Sequence, residues 1–267
     1  MLKDQKHPIT LPSLIRDFRQ LGVSPGMILL VHTSLRALGW VCGGPVAVIL
    51  ALEEVLRSYG TLIMPTHTAE LSDPSGWRNP PAPPTWWDTI REQMPPFDPE
   101  LTPSQHMGII PETFRKQPQV LRSIHPQFSF AAWGQEAIPL LHEHKLDFGL
   151  GETSPLGRLK ALDGYVLLLG VDHSKNTSLH LAEYLAAYSS RKIIDSYAPV
   201  SIRGHRRWLK FQDININSDD FGRLGRDFSR DEKARIRSGR VGLAEVQLFS
   251  QRLCVDYAIR WLEKNRH

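Results

Sequence analysis

Two short apolar segments on either side of a helical segment constrain the fold more than any other feature of this chain. MILLVH begins at Met27 and GTLIMPT spans 60–66, and both are bounded by turn residues, as buried strands are. Between them, PVAVILALEEVLRSYG begins at Pro45 with the apolar spacing of an amphipathic helix and ends at Gly60. The pattern predicts a strand–helix–strand crossover, the unit from which parallel sheets are built.

Helices and strands continue to alternate along the chain. Further helices are predicted over 10–22, 108–117, 134–144, 154–164, 179–188 and from about Leu243 to Leu262. A third buried strand is predicted over 165–171, and two antiparallel strands in YAPVSIRG and RRWLKFQDI. We therefore expect a single α/β domain over residues 1–267, with a mixed β-sheet flanked by helices.

Residues 73–103 differ from the rest because they are rich in proline, which limits regular structure to short pieces. The stretch also holds Trp77, Trp86, Trp87 and Phe97, whose apolar area favours burial. We predict an ordered loop, with a disordered linker as the alternative.

Composition excludes several classes of protein. Hydrophobic residues make up 41% and charged residues 22%, as in ordinary soluble domains. No apolar run approaches the roughly 20 residues that a membrane helix needs, and the N-terminal stretch lacks the apolar segment of a secretory signal. The two cysteines, Cys42 and Cys254, are far apart in sequence, which excludes a disulfide framework. We expect a cytoplasmic protein that does not bind membranes.

The charge distribution is more informative than the net charge of +4. Basic residues after Ser190 are interspersed with acids and accompanied by few aromatics for base stacking, so we expect a solvated surface and no nucleic-acid partner. Between Thr66 and Glu112, seven acids stand against two bases. This segment is expected to attract a cation.

The strand at 165–171 places His173 just beyond its C-terminal end, where open α/β sheets bind their ligands. Asn176 or Thr177 can cap the next helix, which carries His180 and Glu183 three residues apart on one face. A carboxylate on the second ring nitrogen fixes the tautomer of a histidine base and raises its basicity. The spacing permits His173 as base with Glu183 as its orienting acid. Alternatively, His173 caps a strand end and Glu183 is solvated.

Two further segments could hold a phosphorylated cofactor. Gly43 and Gly44 lie between a strand and a helix start, where free backbone N–H groups favour phosphate, and the preceding loop adds His32, Ser34 and Arg36 as donors. The alternative is a turn without a ligand.

The run RSIHPQFSFAAWG, residues 122–134, contains Ser129 and Phe130 followed by two alanines, which permit close approach by a slender chain such as a pantetheine arm. A packed strand that ends in a turn is the alternative for this run.

Seven motifs, in order, resemble the aminoglycoside 3-N-acetyltransferase family. They are HTSLRALGWVCGGP, GTLIMPTHT, the WRNPP…WW…MPPFDP loop, TPSQHMGIIPETFR, RSIHPQFSFAAWG, GLGETSPLGRL and GVDHSKNTSLHLAEY, and the match covers about residues 10–260. The resemblance implies a fold distinct from the common acetyltransferase superfold. It also implies transfer of an acetyl group from acetyl-coenzyme A to the 3-amino group of an aminoglycoside, which confers antibiotic resistance, without a metal.

The resemblance also implies roles for individual residues. His173 is the implied base, Glu183 its orienting acid, and Thr177 a hydroxyl donor near the developing oxyanion. The residues implied to hold coenzyme A are His32, Thr33, Ser34, Leu35, Arg36, Gly43, Gly44, Ser129 and Phe130. The residues implied to meet a cationic amine are His67, Thr68, Glu70, Asp73 and Asp213.

Three other functions remain open. In the first, the acetyl acceptor is an amine that is not an antibiotic. In the second, the protein is a metal-dependent hydrolase whose zinc ligands are His67, His173, His180 and Glu183, although the HExxH signature is absent. In the third, the acidic segment binds a cationic ligand without catalysis. A homodimer is our hypothesis for the assembly, with no motif to support it.

Overall fold

A seven-stranded mixed sheet forms the centre of the structure. The computed structural model describes Gln5 and residues 7–267, so part of the N-terminal stretch considered for a secretory signal lies outside the described residues. In spatial order the strands are β3 (Leu121–Arg122), β4 (Phe130–Gly134), β2 (Thr61–Pro65), β1 (Ile28–Thr33), β5 (Tyr165–Leu169), β9 (Ala244–Ser250) and β8 (Arg237–Val241). The central strands β2, β1 and β5 are parallel and the outer pairs antiparallel, which confirms the predicted mixed sheet.

Helices cover both faces of this sheet, as predicted. They are α1 (Leu11–Leu21), α2 (Gly44–Leu56), α3 (Trp87–Gln93), α4 (Ile109–Phe114), α5 (Ala137–Leu141), α6 (Pro155–Ala161), α7 (Ser178–Leu185), α8 (Phe221–Asp231) and α9 (Gln251–Asn265). One hydrophobic cluster packs α1, α2 and α4 against the first face of the sheet. A second cluster packs the five helices α5, α6, α7, α8 and α9 against the other face. None of the helices in the described residues is long and apolar enough to cross a membrane.

The alternation of side chains along β1 explains why a fully apolar strand fits here. Leu29 and Val31 point into the first cluster and Leu30 into the second, since successive side chains of a strand face opposite sides of the sheet. By the same period His32 lies on the side of Leu30, which is the face covered by α7. The strand β1 is buried on both faces, and its one polar ring, that of His32, lies on the face covered by α7.

The helix predicted from Leu243 to Leu262 is wrong in its first part. Residues 244–250 form β9, which pairs antiparallel with both β5 and β8, and α9 begins only at Gln251. The Ser250 hydroxyl accepts a hydrogen bond from the Leu253 backbone N–H and so caps α9. The sequence AEVQLFS fits a strand because Ala244, Val246 and Leu248, two residues apart, are buried and alternate with more exposed polar residues. The helix α8 and strand β8 were also not predicted.

The strands β6 (Ile193–Ile202) and β7 (His205–Ile214) form a separate antiparallel pair, as predicted. Within the proline-rich segment 73–103, the structure has α3 and two short 3₁₀ turns, at Pro74–Gly76 and Pro84–Trp86. Arg206 of β7 donates hydrogen bonds to the backbone carbonyls of Arg91 and Met94 and so attaches α3 to this hairpin. The hairpin and the proline-rich segment therefore form one wall of the molecule.

Candidate active site

His173 is buried, with 5% of its surface exposed, in the 3₁₀ turn that follows β5. Its Nε2 lies 3.1 Å from Oε1 of Gln247 and its Nδ1 lies 3.3 Å from Nδ2 of Asn176, while the ring stacks on Phe249 with centroids 5.2 Å apart. Both ring nitrogens therefore have partners. Neither partner is Glu183, so the predicted contact between His173 and Glu183 is not formed.

Glu183 instead pairs with His180. Its fully buried carboxylate places Oε2 2.6 Å from His180 Nδ1, and Oε1 accepts hydrogen bonds from the Arg266 guanidinium and from the backbone N–H of Asn217. Residues three apart on a helix share a face, and both lie on α7, whereas His173 precedes that helix in a separate turn. The histidine that Glu183 orients is thus His180, which corrects the assignment of His173.

His180 has the geometry expected of an oriented base. Its side chain is 16% exposed and lies against Phe221, with ring centroids 4.8 Å apart. Within the described residues its Nε2 has no hydrogen-bond partner and remains open to a ligand. The three-residue spacing of His180 and Glu183 on one helix face is the sequence signal that identifies this pair.

A cleft of about 360 Å³ opens at the carboxyl end of β1. Its lining includes the predicted residues His32, Thr33, Ser34, Leu35, Arg36 and Thr177, together with Lys175 and residues 106–111. The Thr177 backbone N–H points to His32 Nε2, with N···N at 3.4 Å, which connects the cleft to the start of α7. The cleft therefore approaches the helix that carries His180 and Glu183.

Four residues predicted to hold coenzyme A lie elsewhere. Gly43 and Gly44 are at the start of α2 and are not among the residues that line this cleft. Ser129 and Phe130 are fully buried, since Phe130 begins β4, an inner strand between β2 and β3, and Ser129 directly precedes it. The Ser129 hydroxyl donates to the Thr66 carbonyl, so its side chain is not free to contact a ligand. Contact between these four residues and coenzyme A stays a prediction.

A second cleft, of about 780 Å³, lies between the proline-rich segment and the β6–β7 hairpin. Its lining includes Asp73, Trp77 and Arg91 on one side and Asp195 on the other, with Phe128 between them. The Phe128 ring packs edge-on against His67, with centroids 5.6 Å apart. Since His67 follows β2, this cleft reaches the same edge of the sheet as the first.

The other predicted acceptor residues do not share that surface. Glu70 is exposed and lies 3.6 Å from His106, while the hydroxyl of buried Thr68 donates to the Pro126 carbonyl. Asp213 is buried and accepts a hydrogen bond from the Tyr184 hydroxyl, and its Oδ2 has no partner in the described part of the chain. Of the predicted carboxylates, only Asp73 lines the second cleft.

Three histidines, His32, His67 and His173, are uncharged at neutral pH. Burial lowers the pKa of His32 to about 3 and that of His173 to about 4, and it holds the pKa of His67 well below its usual range. A positive charge on His180 would lower the pKa of both His32 and His67 further, so these rings lie near one another. A neutral imidazole can accept or donate one hydrogen bond at each nitrogen.

Buried histidines also predict loss of stability in acid. Burial lowers the pKa of His125 to about 3 and that of His144 to about 4. Between about pH 6.5 and pH 4 the unfolded chain binds protons that the folded chain does not, so each such histidine lowers the free energy of unfolding by up to about 1.4 kcal/mol per pH unit as pH falls. We expect the urea midpoint to drop steadily from about pH 7 to about pH 5.

A matched pair of variants tests this cause. His144→Asn should reduce the slope of the free energy of unfolding against pH by the contribution of one bound proton. His142→Gln, at an exposed neighbour, should leave this slope unchanged. A urea midpoint that is flat over the same pH range would contradict the expectation.

The four residues of the zinc hypothesis do not form a metal site. In Gln5 and residues 7–267, no three histidine, cysteine, aspartate or glutamate side chains are grouped so that they could hold a metal ion. His180 is engaged by Glu183, and His173 by Gln247 and Asn176. The proposed ligand set is therefore wrong.

An imidazole that a buried carboxylate orients, on a helix whose start borders a cleft at the carboxyl end of a parallel strand, is typical of α/β enzymes that use a histidine base. The family model described as aminoglycoside 3-N-acetyltransferase matches residues 30–263. The chain belongs to this family and is an acetyltransferase of it.

Individual relatives are similar to this chain over nearly its whole length. The SPbeta prophage-derived aminoglycoside N(3′)-acetyltransferase-like protein YokD of Bacillus subtilis is 45% identical over 259 residues, 97% of this chain and 94% of that protein. Aminoglycoside N(3)-acetyltransferase VII of Streptomyces paromomycinus is 36% identical, with 99% and 95% of the two chains covered. The YokD crystal structure matches with a TM-score of 0.95, at 44% identity and covering 98% and 96%. The AAC-IIIb binary complex with CoASH matches with a TM-score of 0.86, at 30% identity and covering 97% and 98%.

Proposed function

We propose that this protein transfers the acetyl group of acetyl-coenzyme A to the 3-amino group of an aminoglycoside, with His180 as general base. The observation that carries the proposal is the 2.6 Å contact between His180 Nδ1 and the buried Glu183 carboxylate. A carboxylate there keeps the ring proton on Nδ1 and leaves the lone pair on Nε2, which can accept a proton from the reacting amine. Glu183 positions His180 and does not itself meet the substrate.

The cleft at the end of β1 supports binding of acetyl-coenzyme A. Its loop residues Ser34 and Arg36 and the nearby Lys175 offer hydroxyl and cationic donors to the phosphates. His32 and Thr177 lie side by side in the same lining. A thioester carbonyl that reached them would lie beside α7, where the Thr177 hydroxyl could donate to the developing oxyanion. The related AAC-IIIb was solved in complex with CoASH.

The second cleft supports binding of the amine. In the reaction, the amine nitrogen forms a bond to the thioester carbonyl carbon and its proton passes to His180 Nε2. The carbon–sulfur bond then breaks, and the proton held on His180 passes to the sulfur, which releases the coenzyme A thiol and restores the base. The aminoglycoside acceptor rests on the name of the Streptomyces paromomycinus relative and on the acidic character of residues 66–112. Acetylation removes a positive charge from the antibiotic and would confer resistance.

His173 has a structural role in this proposal. It packs between β9 and α8 at the side of a cleft of about 690 Å³, and a Cβ added at Gly225 would lie 2.1 Å from the His173 Cβ. Glycine at 225 therefore allows α8 to pack directly on this ring. Loss of His173 should affect folding more than the proton transfer.

Acceptor-dependent thiol release is the direct test. Purified protein should release coenzyme A thiol from acetyl-coenzyme A only when a 2-deoxystreptamine aminoglycoside is added, and mass spectrometry and NMR of the product should place the acetyl group on the 3-amino nitrogen. An analogue without that amine is the matched control and should give background release. Equal release with both acceptors would refute acetylation at this position.

We also propose that the reaction takes place in the cytoplasm. Cys42 and Cys254 are unpaired thiols, which fits a reducing compartment. The homodimer stays a proposal as well, to be tested by light scattering on the purified protein.

A further inference from the structure

The carboxylates of the second cleft are already engaged by cations of the protein itself. Arg91 holds Asp73 in a bidentate pair, with Nε 2.9 Å from Oδ2 and Nη2 2.9 Å from Oδ1. On the opposite wall, Lys210 Nζ lies 2.7 Å from Oδ2 of Asp195. Asp73, Arg91 and Asp195 are the charged residues among those that line the cleft. When Lys210 is included, the two carboxylates of the cleft are matched by two cationic side chains.

This balance matters for a polycationic acceptor. Each ammonium group that leaves water needs a carboxylate or another acceptor, and a carboxylate already bound by arginine offers little further attraction. The remaining walls are neutral and include Trp77, Tyr197 and Trp208. Such a cleft suits an acceptor with few ammonium groups and an apolar or hydroxylated body better than one with many ammonium groups.

We propose that Arg91 is a specificity-determining residue, which occupies both oxygens of Asp73 and thereby limits the affinity of the acceptor cleft for polyamino acceptors. The inference rests on the proposed function, because it takes the second cleft as the acceptor site. It narrows the acceptor class to aminoglycosides with few amino groups and assigns the selection to one ion pair.

Asp73 would stay in place without Arg91. Its Oδ1 also accepts hydrogen bonds from the Ser75 backbone N–H at 3.0 Å and from the Ser75 hydroxyl at 2.6 Å. The helix α3 would stay in place too, because Arg206 holds it through backbone carbonyls and not through the Arg91 side chain. Removing the guanidinium should therefore leave an unpaired carboxylate facing the cleft.

Equilibrium binding tests the proposal without relying on turnover. Arg91→Gln is compared with the wild-type protein by calorimetry, using a series of aminoglycosides that share the 2-deoxystreptamine ring and differ in their number of amino groups. We expect affinity to rise about three- to ten-fold for the members with most amino groups and to change little for those with fewest. The gain should shrink at high salt because the pair is partly exposed.

Two further variants isolate the cause. Asp73→Asn combined with Arg91→Gln should return the affinities to wild-type values. Arg78→Gln removes a cation from the same segment. The Arg78 side chain contacts the carbonyls of Ser75 and Trp77 and, among the residues that the structure describes, no carboxylate, so this change should leave the affinities unchanged.

The outcomes separate this proposal from the proposed function. Unchanged or weaker binding of the polyamino members to Arg91→Gln overturns the role of Arg91, whether or not acetyl transfer is observed. An equal gain in Arg78→Gln also overturns it, since only the general charge of the segment would then matter. Absence of thiol release with every amine overturns the proposed function, and the binding series still decides the role of Arg91.

Discussion

Replacing His180 with alanine is expected to lower kcat for acetyl transfer by at least about 10²-fold, because the amine then loses its proton to water and not to a positioned base. The side chain is partly exposed and, in the proposed mechanism, would meet the substrate only through Nε2, so KM for both substrates should change far less than kcat. Thiol-release kinetics measure both constants. Urea unfolding of the same sample establishes that the variant is folded.

His173→Asn is the informative comparison for this experiment. Because His173 is buried among Gln247, Asn176 and Phe249, its replacement should appear chiefly as lower stability, with kcat of the folded fraction retained. The reverse pattern, with full activity in His180→Ala and a folded but inactive His173 variant, would show that His173 is the general base. Glu183→Gln should lower kcat without abolishing it, since the amide can still contact the ring but stabilises the imidazolium less.

Removing the guanidinium in Arg266→Ala is expected to lower the free energy of unfolding by about 3–5 kcal/mol. The Arg266 side chain is 11% exposed and Glu183 is fully buried, so the pair is screened little by water. Its loss would leave Glu183 with His180 and the Asn217 N–H alone, and would also release Asp220. An uncompensated buried carboxylate is costly because it has lost its hydration.

The control for this prediction is a pair on the surface. Arg252 contacts Asp163 at 2.7 Å, but both side chains are largely exposed, so Arg252→Ala should cost less than about 1 kcal/mol. Combining Arg266→Ala with Glu183→Gln should recover part of the stability by neutralising the orphaned charge. Urea unfolding of the four proteins provides the comparison. Equal losses for Arg266→Ala and Arg252→Ala would mean that burial does not strengthen the Glu183 pair.

Local patterns in the sequence determined much of this protein. Apolar periodicity identified the crossover from β1 through α2 to β2, and the ordered motifs identified the family. Turn residues marked the ends of most elements. Each of these signals depends on residues close together in the chain, which is why it could be recovered without coordinates. The spacing of His180 and Glu183 is also a local signal, since a helix fixes which residues share a face.

Tertiary structure alone decided which groups act together. Arg266 reaches Glu183 from the far end of the chain only because α9 packs on α7, and β9 is a strand only because β5 and β8 offer it partners on both sides. The burial of Ser129 and Phe130 follows from the position of β4 inside the sheet. The pairing of Asp73 with Arg91 likewise depends on how the proline-rich segment folds back on itself. Contacts between distant segments follow from the packing of whole elements, and no local pattern specifies that packing.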